Sequence, residues 1–167
     1  FSYSILDGGF EKHLQTLNKK DLVIVTTPIE LLVPVTKLAI KTGQTTILLE
    51  KPGSLFHQEL SSLDKMINTQ KIRIAYNRLL YPNFHKLKQL VKNEGGIISS
   101  KFDFTEWIHK ISFDKHQENI YKFWGISNSL HIINMAFELI GMPKEINSFQ
   151  SGSLDWHPSG SIFTGTG

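Results

Sequence analysis

The feature of the sequence that most constrains its fold is the alternation, in the first half, of short apolar runs with helical patterns. The apolar runs are typical of strands buried on both faces, and they occupy Asp21–Thr26, Thr45–Glu50 and Lys71–Tyr76. Amphipathic patterns between them predict helices at Ile29–Thr42 and Phe56–Asn68. Strand–helix–strand units of this kind are right-handed and build a parallel sheet. The predicted fold class is therefore α/β.

The second half of the chain has a mixed character. A helix is predicted over Pro82–Val91, and a strand with alternating apolar residues over Ile97–Trp107. A single long helix is predicted over Asn119–Ile140, ended by a glycine and a proline. The strand-like segments Glu145–Gln150 and Ser161–Thr164 complete the chain. This half is expected to be part of an α+β domain.

The ends of the sequence indicate a piece of a longer protein. The chain begins at Phe1 rather than at a methionine, carries no signal-peptide pattern, and stops within a strand-like segment. A helix predicted over Asp7–Lys19 precedes the first strand, and the element expected before that helix is absent. We therefore expect two partial domains, one over residues 1–78 and the other over residues 79–167.

Composition and charge exclude several classes of function. The 167 residues include no cysteine, which excludes disulfide scaffolds, thiolate metal centres and cysteine nucleophiles. The net charge of +3 comes from scattered lysines, without the basic stripe of a nucleic-acid-binding protein. No apolar stretch reaches the ~18–20 residues of a membrane-spanning helix, and the seven histidines lack the spacing of a metal site. We expect no nucleic acid, membrane or metal, and a cytoplasmic location.

Polar residues follow each predicted strand, at the edge where open parallel sheets bind ligands. They are Thr26–Pro28 after the first strand, Glu50–Pro52 after the second and Asn77–Arg78 after the third. Each of them alone is more often simply a solvated residue at a strand end. Together, hydroxyls, a carboxylate, an ammonium, an amide and a guanidinium at neighbouring strand ends favour a ligand site.

A second polar set lies on the predicted long helix. At offsets of 0, 4, 7 and 11, which share one stripe of a continuous helix, stand Ser127, His131, Asn134 and Glu138. His131 can accept a proton at neutral pH. A helical histidine taken alone is more often a solvated surface residue, so its interpretation depends on the rest of the pattern.

The order of these segments resembles that of the Gfo/Idh/MocA oxidoreductases. The resemblance covers nearly the whole chain and rests on Asp21–Pro28, Thr46–Pro52, Ala75–Arg78 with Pro82, Ser127–His131 and Leu139–Pro143. It implies an incomplete Rossmann-type parallel sheet that binds NAD or NADP, followed by part of a substrate domain with an open antiparallel sheet. The implied reaction transfers a hydride between the nicotinamide and a small-molecule sugar or nucleotide sugar. A homo-oligomer is expected by the same analogy.

The resemblance also implies roles for individual residues. Lys51 would hydrogen-bond the reacting hydroxyl, and His131 would be the general acid or base for that hydroxyl. The implied cofactor contacts are Thr26, Thr27, Pro28, Glu50, Lys51, Pro52 and Asn77. The implied substrate contacts are Lys51, Arg78, Ser127, Asn128 and His131.

The sequence departs from the family's pattern at several positions. The family usually has one aspartate four residues before the helix histidine and another three residues after it, where this chain has Ser127 and Asn134. Leu32 and Leu79 replace a common histidine and a common arginine. The Gly-x-Gly-x-x-Gly turn that holds a pyrophosphate does not occur, and the family places it before the segment that begins at Phe1. The alternative is a catalytically lapsed or truncated member that acts as a binding or oligomerisation module.

Overall fold

A parallel sheet organises the first part of the chain, as the alternating pattern predicts. In chain order the elements are α1 (Gly9–Thr16), β1 (Val23–Val25), α2 (Ile29–Lys41), β2 (Thr46–Leu49), α3 (His57–Asp64) and β3 (Lys71–Ile74). The strands lie in the order β1–β2–β3 and pair in parallel, with Val23 opposite Ile47 and Ile47 opposite Ile72. The helices α1 and α3 are shorter than the sequence predicts, whereas α2 has nearly the predicted bounds.

The computed structural model describes residues 3–105, 107–152 and 162–167. The chain divides into two units, 1–75 and 76–167. The two expected domains, 1–78 and 79–167, remain a prediction. No helix of the described residues is long and apolar enough to cross a bilayer.

The core of the first unit lies between one face of the sheet and the helices. Val25, Ile47 and Leu49 are at most 2% exposed and pack with buried residues of α1, α2 and α3. The other face differs, since Ile24 is 58% exposed and Arg73 is also exposed. The expectation of strands buried on both faces is therefore wrong for the part of the chain described, because its helices pack on one face of the sheet.

The turn between α2 and β2 is closed by backbone hydrogen bonds. Gly43 follows the end of α2 with a φ of +88°, as the glycine at this position predicts. Its N–H donates to the Ile40 carbonyl at 3.0 Å, and the Gln44 N–H donates to the Ala39 carbonyl at the same distance. These two bonds satisfy carbonyls that the end of a helix leaves unpaired, so α2 ends at a fixed point before β2.

The buried side chain of Gln44 ties this turn to the segment before β1. Its Oε1 accepts the Lys20 N–H at 2.9 Å. Its Nε2 donates to the carbonyls of Leu17 and Asn18 at 3.5 and 3.3 Å. These bonds hold together the edge of the sheet at which β1 and β2 begin, opposite the edge at which the predicted ligand residues lie.

The second unit contains short helices and a pair of antiparallel strands. A 3-10 helix over Asn77–Leu80 opens it, and another spans Ile108–Lys110. Its other elements are α4 (Pro82–Asn93), α5 (Glu118–Lys122), α6 (Trp124–Ser127), α7 (Leu130–Ile140), β4 (Asn147–Ser151) and β5 (Ile162–Thr166). The strands β4 and β5 pair antiparallel. The predicted fold class, a Rossmann-like parallel sheet followed by an α+β part, is confirmed; Ser161 of the predicted last strand lies outside the described residues.

The strand predicted over Ile97–Trp107 is wrong for the described residues of that segment, 97–105 and 107. Ile98 is fully exposed, and Trp107 is 74% exposed. Alternation of apolar residues predicts a strand, but a strand also needs a hydrogen-bonded neighbour. Within the described part of the chain, no strand pairs with this segment. Position 106 lies outside that part.

The single long helix predicted over Asn119–Ile140 is also wrong, because the segment forms the three shorter helices α5, α6 and α7. Phe123, between α5 and α6, has non-helical φ and ψ angles of −107° and 32°. At the end of α6, the Ser127 hydroxyl donates to the Trp124 carbonyl at 3.2 Å, a local bond with which serine competes against regular helix. Ser127 and His131 therefore lie on different helices.

Candidate functional site

Two of the predicted polar segments meet at one edge of the sheet. Thr26–Pro28 follows β1 and Glu50–Pro52 follows β2, and these strands are parallel neighbours with Val25 opposite Leu49. The Glu50 N–H donates to the Val25 carbonyl at 2.9 Å, so the pairing continues one residue beyond β2. The structure thus brings hydroxyl, carboxylate and ammonium groups of the first unit to the carboxyl ends of adjacent strands.

Thr27 carries an unusual polar atom at this edge. Its Oγ1 is buried and has no hydrogen-bond partner among the described residues. A buried hydroxyl without a partner costs about 1–3 kcal/mol, so such groups in a folded protein call for an explanation. Thr26 and Pro28 on either side are exposed. A ligand bound at this strand end is one group that would supply the missing partner.

The start of α2 follows Thr27 and Pro28 directly in the chain. Pro28 precedes the helix, and its carbonyl accepts the Leu31 N–H at 2.9 Å. The first N–H groups of a helix have no partner within the helix and carry a partial positive charge. Together with the Thr27 hydroxyl, they suit an anionic or hydroxyl-rich ligand.

The turn that follows β2 is tightly built and presents Glu50 and Lys51. The Lys51–Pro52 peptide bond is cis, and Gly53 has a φ of +83°. The Gly53 N–H donates to the Glu50 carbonyl at 3.0 Å. Pro52 and Gly53 are buried, while Glu50 and Lys51 are half-buried. The buried part of the turn therefore fixes the backbone from which the two charged side chains extend.

Ser54 connects this turn to α3. Its buried hydroxyl donates to the Glu59 carboxylate and accepts the Phe56 N–H, the latter at 3.0 Å. Glu59 lies in the first turn of α3, where an acidic side chain interacts favourably with the helix dipole. The turn is thus anchored at its end to a helix of the core.

In the second unit, Tyr76 and His131 come together beside the first 3-10 helix. Tyr76 directly precedes that helix, which packs against α7. The rings of Tyr76 and His131 lie edge to face, with their centroids 6.3 Å apart and their planes at 85°. Burial raises the pKa of the Tyr76 hydroxyl. Asn77 is exposed and Arg78 is half-buried.

The four residues of the predicted polar stripe have separate environments. Ser127 is only 4% exposed, and its hydroxyl donates to the carbonyls of Trp124 and Ile120. On α7, the Asn134 Oδ1 is buried and accepts no hydrogen bond from any described residue. Glu138 forms an ion pair with Lys88 of α4. A continuous stripe is therefore not formed, and Asn134 is a member of it whose buried oxygen has no hydrogen-bond partner among the described residues.

Sequence reasoning assigned no role to Tyr76, and it placed Asn134 in the polar stripe and noted it as a departure from the family's pattern without giving it a role. The signal for Tyr76 was its place directly before Asn77 at a predicted strand end. Asn128 is half-buried in the turn between α6 and α7, and this position neither supports nor contradicts its predicted substrate contact. Within the described ranges, no group of three or more histidine and acidic residues could hold a metal ion.

A cavity on the helical side of the first unit is separate from these residues. It has a volume of about 350 Å³ and is lined by Val33, Pro34, Lys37, Leu38, Lys41 and Glu59. None of these is a predicted site residue. The predicted residues at the strand ends therefore remain the candidate site.

No family model matches the sequence, and a comparison with curated proteins finds no significant match. Solved structures do match. An oxidoreductase from Thermotoga maritima is 17% identical with a TM-score of 0.75, covering 98% of this chain and 53% of its own. The apo scyllo-inositol dehydrogenase from Lactobacillus casei is 19% identical with a TM-score of 0.65, covering 90% of this chain and 44% of its own.

A third match is a dehydrogenase from Thermus thermophilus that was crystallised with NAD and UDP-GlcNAcA. It is 17% identical with a TM-score of 0.62, covering 83% of this chain and 47% of its own. The chain spans about half the length of the solved structures it matches. At these identities the likeness establishes the fold alone: this chain has the fold of about half the length of each of these structures.

Proposed function

We propose that this chain is part of a nicotinamide-dependent oxidoreductase that acts on a sugar or a nucleotide sugar. The observation that carries the proposal is the buried Thr27 hydroxyl, which has no partner among the described residues, at the edge it shares with Glu50–Pro52. The solved dehydrogenases of the same fold support the choice of cofactor and substrate class, since one of them holds NAD and UDP-GlcNAcA.

The residues of the first unit fit one part of a dinucleotide. The Thr27 hydroxyl can bond to a ribose or phosphate oxygen, and the N–H groups at the start of α2 suit a phosphate. A bound nicotinamide supplies the chemistry of accepting or donating a hydride. NAD and NADP both present the groups that these residues can bind. The proposed cofactor contacts are Thr26, Thr27, Pro28, Glu50, Lys51, Pro52 and Asn77.

The proposed reaction needs one residue to hold the substrate hydroxyl and another to take its proton. The Lys51 ammonium is suited to the first role, because it donates hydrogen bonds from a half-buried position on a fixed turn. His131 is suited to the second, because an imidazole accepts a proton near neutral pH. Arg78, Ser127 and Asn128 are the other proposed substrate contacts.

One observation favours a second candidate, a catalytically lapsed or truncated member that acts as a binding or oligomerisation module. The hydroxyl of Ser127, which stands where the resembling family usually has an aspartate, donates to two backbone carbonyls. It cannot supply the negative charge of a carboxylate to an imidazolium. A chain of this kind would retain the fold and its surfaces, including one for a homo-oligomer, without turnover.

The cofactor proposal is tested by titrating the 167-residue chain with NADH and NADPH while following nucleotide fluorescence. We expect saturable binding that Thr27→Val weakens about tenfold, because the substitution keeps the shape and removes one hydrogen bond worth about 1–1.5 kcal/mol. Lys51→Ala is expected to weaken binding as well.

Thr45→Val is the matched control, since it makes the same chemical change directly before β2, at the opposite edge of the sheet. Its binding should equal that of the unchanged chain. Absence of saturable binding, or equal binding by the Thr27 and Thr45 variants, would refute a cofactor site at this edge. Two results together would favour the second candidate: binding of the nucleotide without turnover of any sugar nucleotide, and unimpaired biological activity of the His131→Ala variant.

A further inference from the structure

The contact between Tyr76 and His131 joins two separately anchored pieces of backbone. The ring centroids are 6.3 Å apart and the ring planes are nearly perpendicular, at 85°. Edge-to-face is one of the two arrangements that aromatic rings prefer. The contact therefore fixes both the distance between the two rings and the angle between their planes.

Both partners have little backbone freedom. The Tyr76 carbonyl accepts the Leu79 N–H at 3.1 Å, which closes the first turn of the 3-10 helix. His131 is the second residue of α7, whose start is closed by a bond from the Ile132 N–H to the Ser129 carbonyl at 3.1 Å. Because the 3-10 helix packs against α7, the Tyr76 ring reaches His131 from a fixed position.

The hydroxyl of Tyr76 adds no charge to the contact between the two rings at neutral pH. Its burial raises the pKa of the phenol above its ordinary value, so the ring stays uncharged over the whole range in which an imidazole titrates. Tyr76 can thus hold the orientation of the neighbouring ring without adding a charge that would alter with pH.

The helix that carries His131 offers no carboxylate for the same purpose. Glu138 is the only acidic residue of α7, and it lies two turns further on, paired with Lys88 of α4. An acid or base is efficient only when it is held in the right direction. The edge-to-face contact with Tyr76 is one arrangement in this unit that fixes the plane of the His131 ring.

We propose that Tyr76 is a positioning residue for His131, acting through the edge-to-face contact of the two rings. The proposal rests on the proposed role of His131 as the acid or base. It predicts that the aromatic ring of residue 76 is needed and that its hydroxyl is not. Tyr76→Phe should therefore preserve the orientation of His131, and Tyr76→Leu should release it.

The experiment is NMR of the full chain with 13C-labelled histidine, in which the signal of His131 is identified by its loss in His131→Gln. We expect cross-relaxation between the ring protons of residues 76 and 131, and a ring order parameter near 0.85, typical of rigid groups. The order parameter should stay there in Tyr76→Phe and fall below about 0.6 in Tyr76→Leu. Tyr81→Leu, which removes a tyrosine from the same region, should leave it unchanged.

An unchanged order parameter in Tyr76→Leu would overturn the proposal, since His131 would then be held by other groups. Absence of cross-relaxation in the unchanged chain would also overturn it, so the test remains decisive if the leucine variant fails to fold. None of these measurements involves a cofactor or turnover. A failure of the proposed function would instead appear as missing nucleotide binding with the ring contact intact.

Discussion

Asn134 places a buried amide oxygen on α7, one turn beyond His131, and no described residue donates to it. A group of this kind lowers stability by about 1–3 kcal/mol relative to a satisfied or apolar one. Residues that reduce stability without a visible local benefit are most often found where a protein binds something. We therefore propose that Asn134, like Thr27, has a polar group that binds a ligand rather than stabilises the fold.

We predict that Asn134→Leu raises the melting temperature of the free chain. Leucine has a similar size and removes the unsatisfied oxygen, and each kcal/mol shifts the melting temperature of a chain of this size by about 2–4 °C. Circular dichroism during heating measures the shift.

Ser127→Ala is the matched control, because it also removes a buried polar group but one that is hydrogen-bonded. It should lower the melting temperature, since the bond to the Trp124 carbonyl at 3.2 Å is lost. If Asn134→Leu lowered the melting temperature by a similar amount, the amide would stabilise the folded chain, and its proposed role in binding a ligand would be contradicted.

At the scale of elements, the turn after β2 depends on a glycine that approaches the neighbouring strand closely. A Cβ on Gly53 would lie 2.9 Å from Ile74 Cδ1 and 3.3 Å from Leu60 Cδ2. The φ of +83° is also one that other residues rarely adopt. The turn that presents Glu50 and Lys51 is therefore held by backbone conformation and by contact with β3 at the same time.

We predict that Gly53→Ala destabilises the chain more than Gly43→Ala. Gly43 has nearly the same φ, +88°, but a Cβ there would meet nothing within 4 Å. The glycine 43 variant thus measures the backbone strain alone, of about 1 kcal/mol. Urea unfolding of both variants gives the difference, which we expect to be about 1 kcal/mol more for Gly53.

Ile74→Val supplies the internal check on this interpretation, because valine lacks the Cδ1 atom that the new methyl group would meet. In the double variant, part of the additional loss at Gly53 should be recovered, as expected for residues in direct contact. Full additivity of the two substitutions would show that the close approach to β3 contributes nothing.

The elements that the sequence predicted correctly are those whose local signals agree with one another. The βαβ part has apolar runs, an amphipathic α2 and Gly43 directly after its end, and each signal favours the same boundaries. The errors fall where a local pattern needed a distant partner. Ile97–Trp107 alternates as a strand does, yet no described strand pairs with it, and the periodicity across residues 119–140 does not reveal the breaks at Phe123 and after Ser127.

The candidate site shows the same division. The meeting of Thr26–Pro28 with Glu50–Pro52 follows from the order of parallel strands and could be predicted from chain topology alone. The contact between Tyr76 and His131 could not, because it depends on how a 3-10 helix packs against a helix far away in the sequence. The missing partners of Thr27 and Asn134 are likewise properties of packing, which residue patterns do not contain.

At the scale of the whole molecule, the pair β4–β5 leaves two large apolar side chains uncovered within the described residues. Phe149 is 66% exposed and Ile162 is 52% exposed. They share one face, because Phe149 lies opposite Thr164 and Ile162 lies two positions before it. A net charge of only +3 opposes association weakly. We propose this face as a contact surface of the homo-oligomer.

We predict that the chain self-associates as its concentration rises and that Phe149→Lys weakens this association at least about tenfold, because burying a phenylalanine contributes about 1.5–3 kcal/mol. Sedimentation velocity over a range of concentrations measures both. Gln150→Lys is the matched control: it adds the same charge to the same strand but on the opposite face, and should leave the association unchanged. A chain that stays monomeric throughout, or equal effects of the two lysines, would contradict the use of this face, because only one of them places its charge beside Ile162.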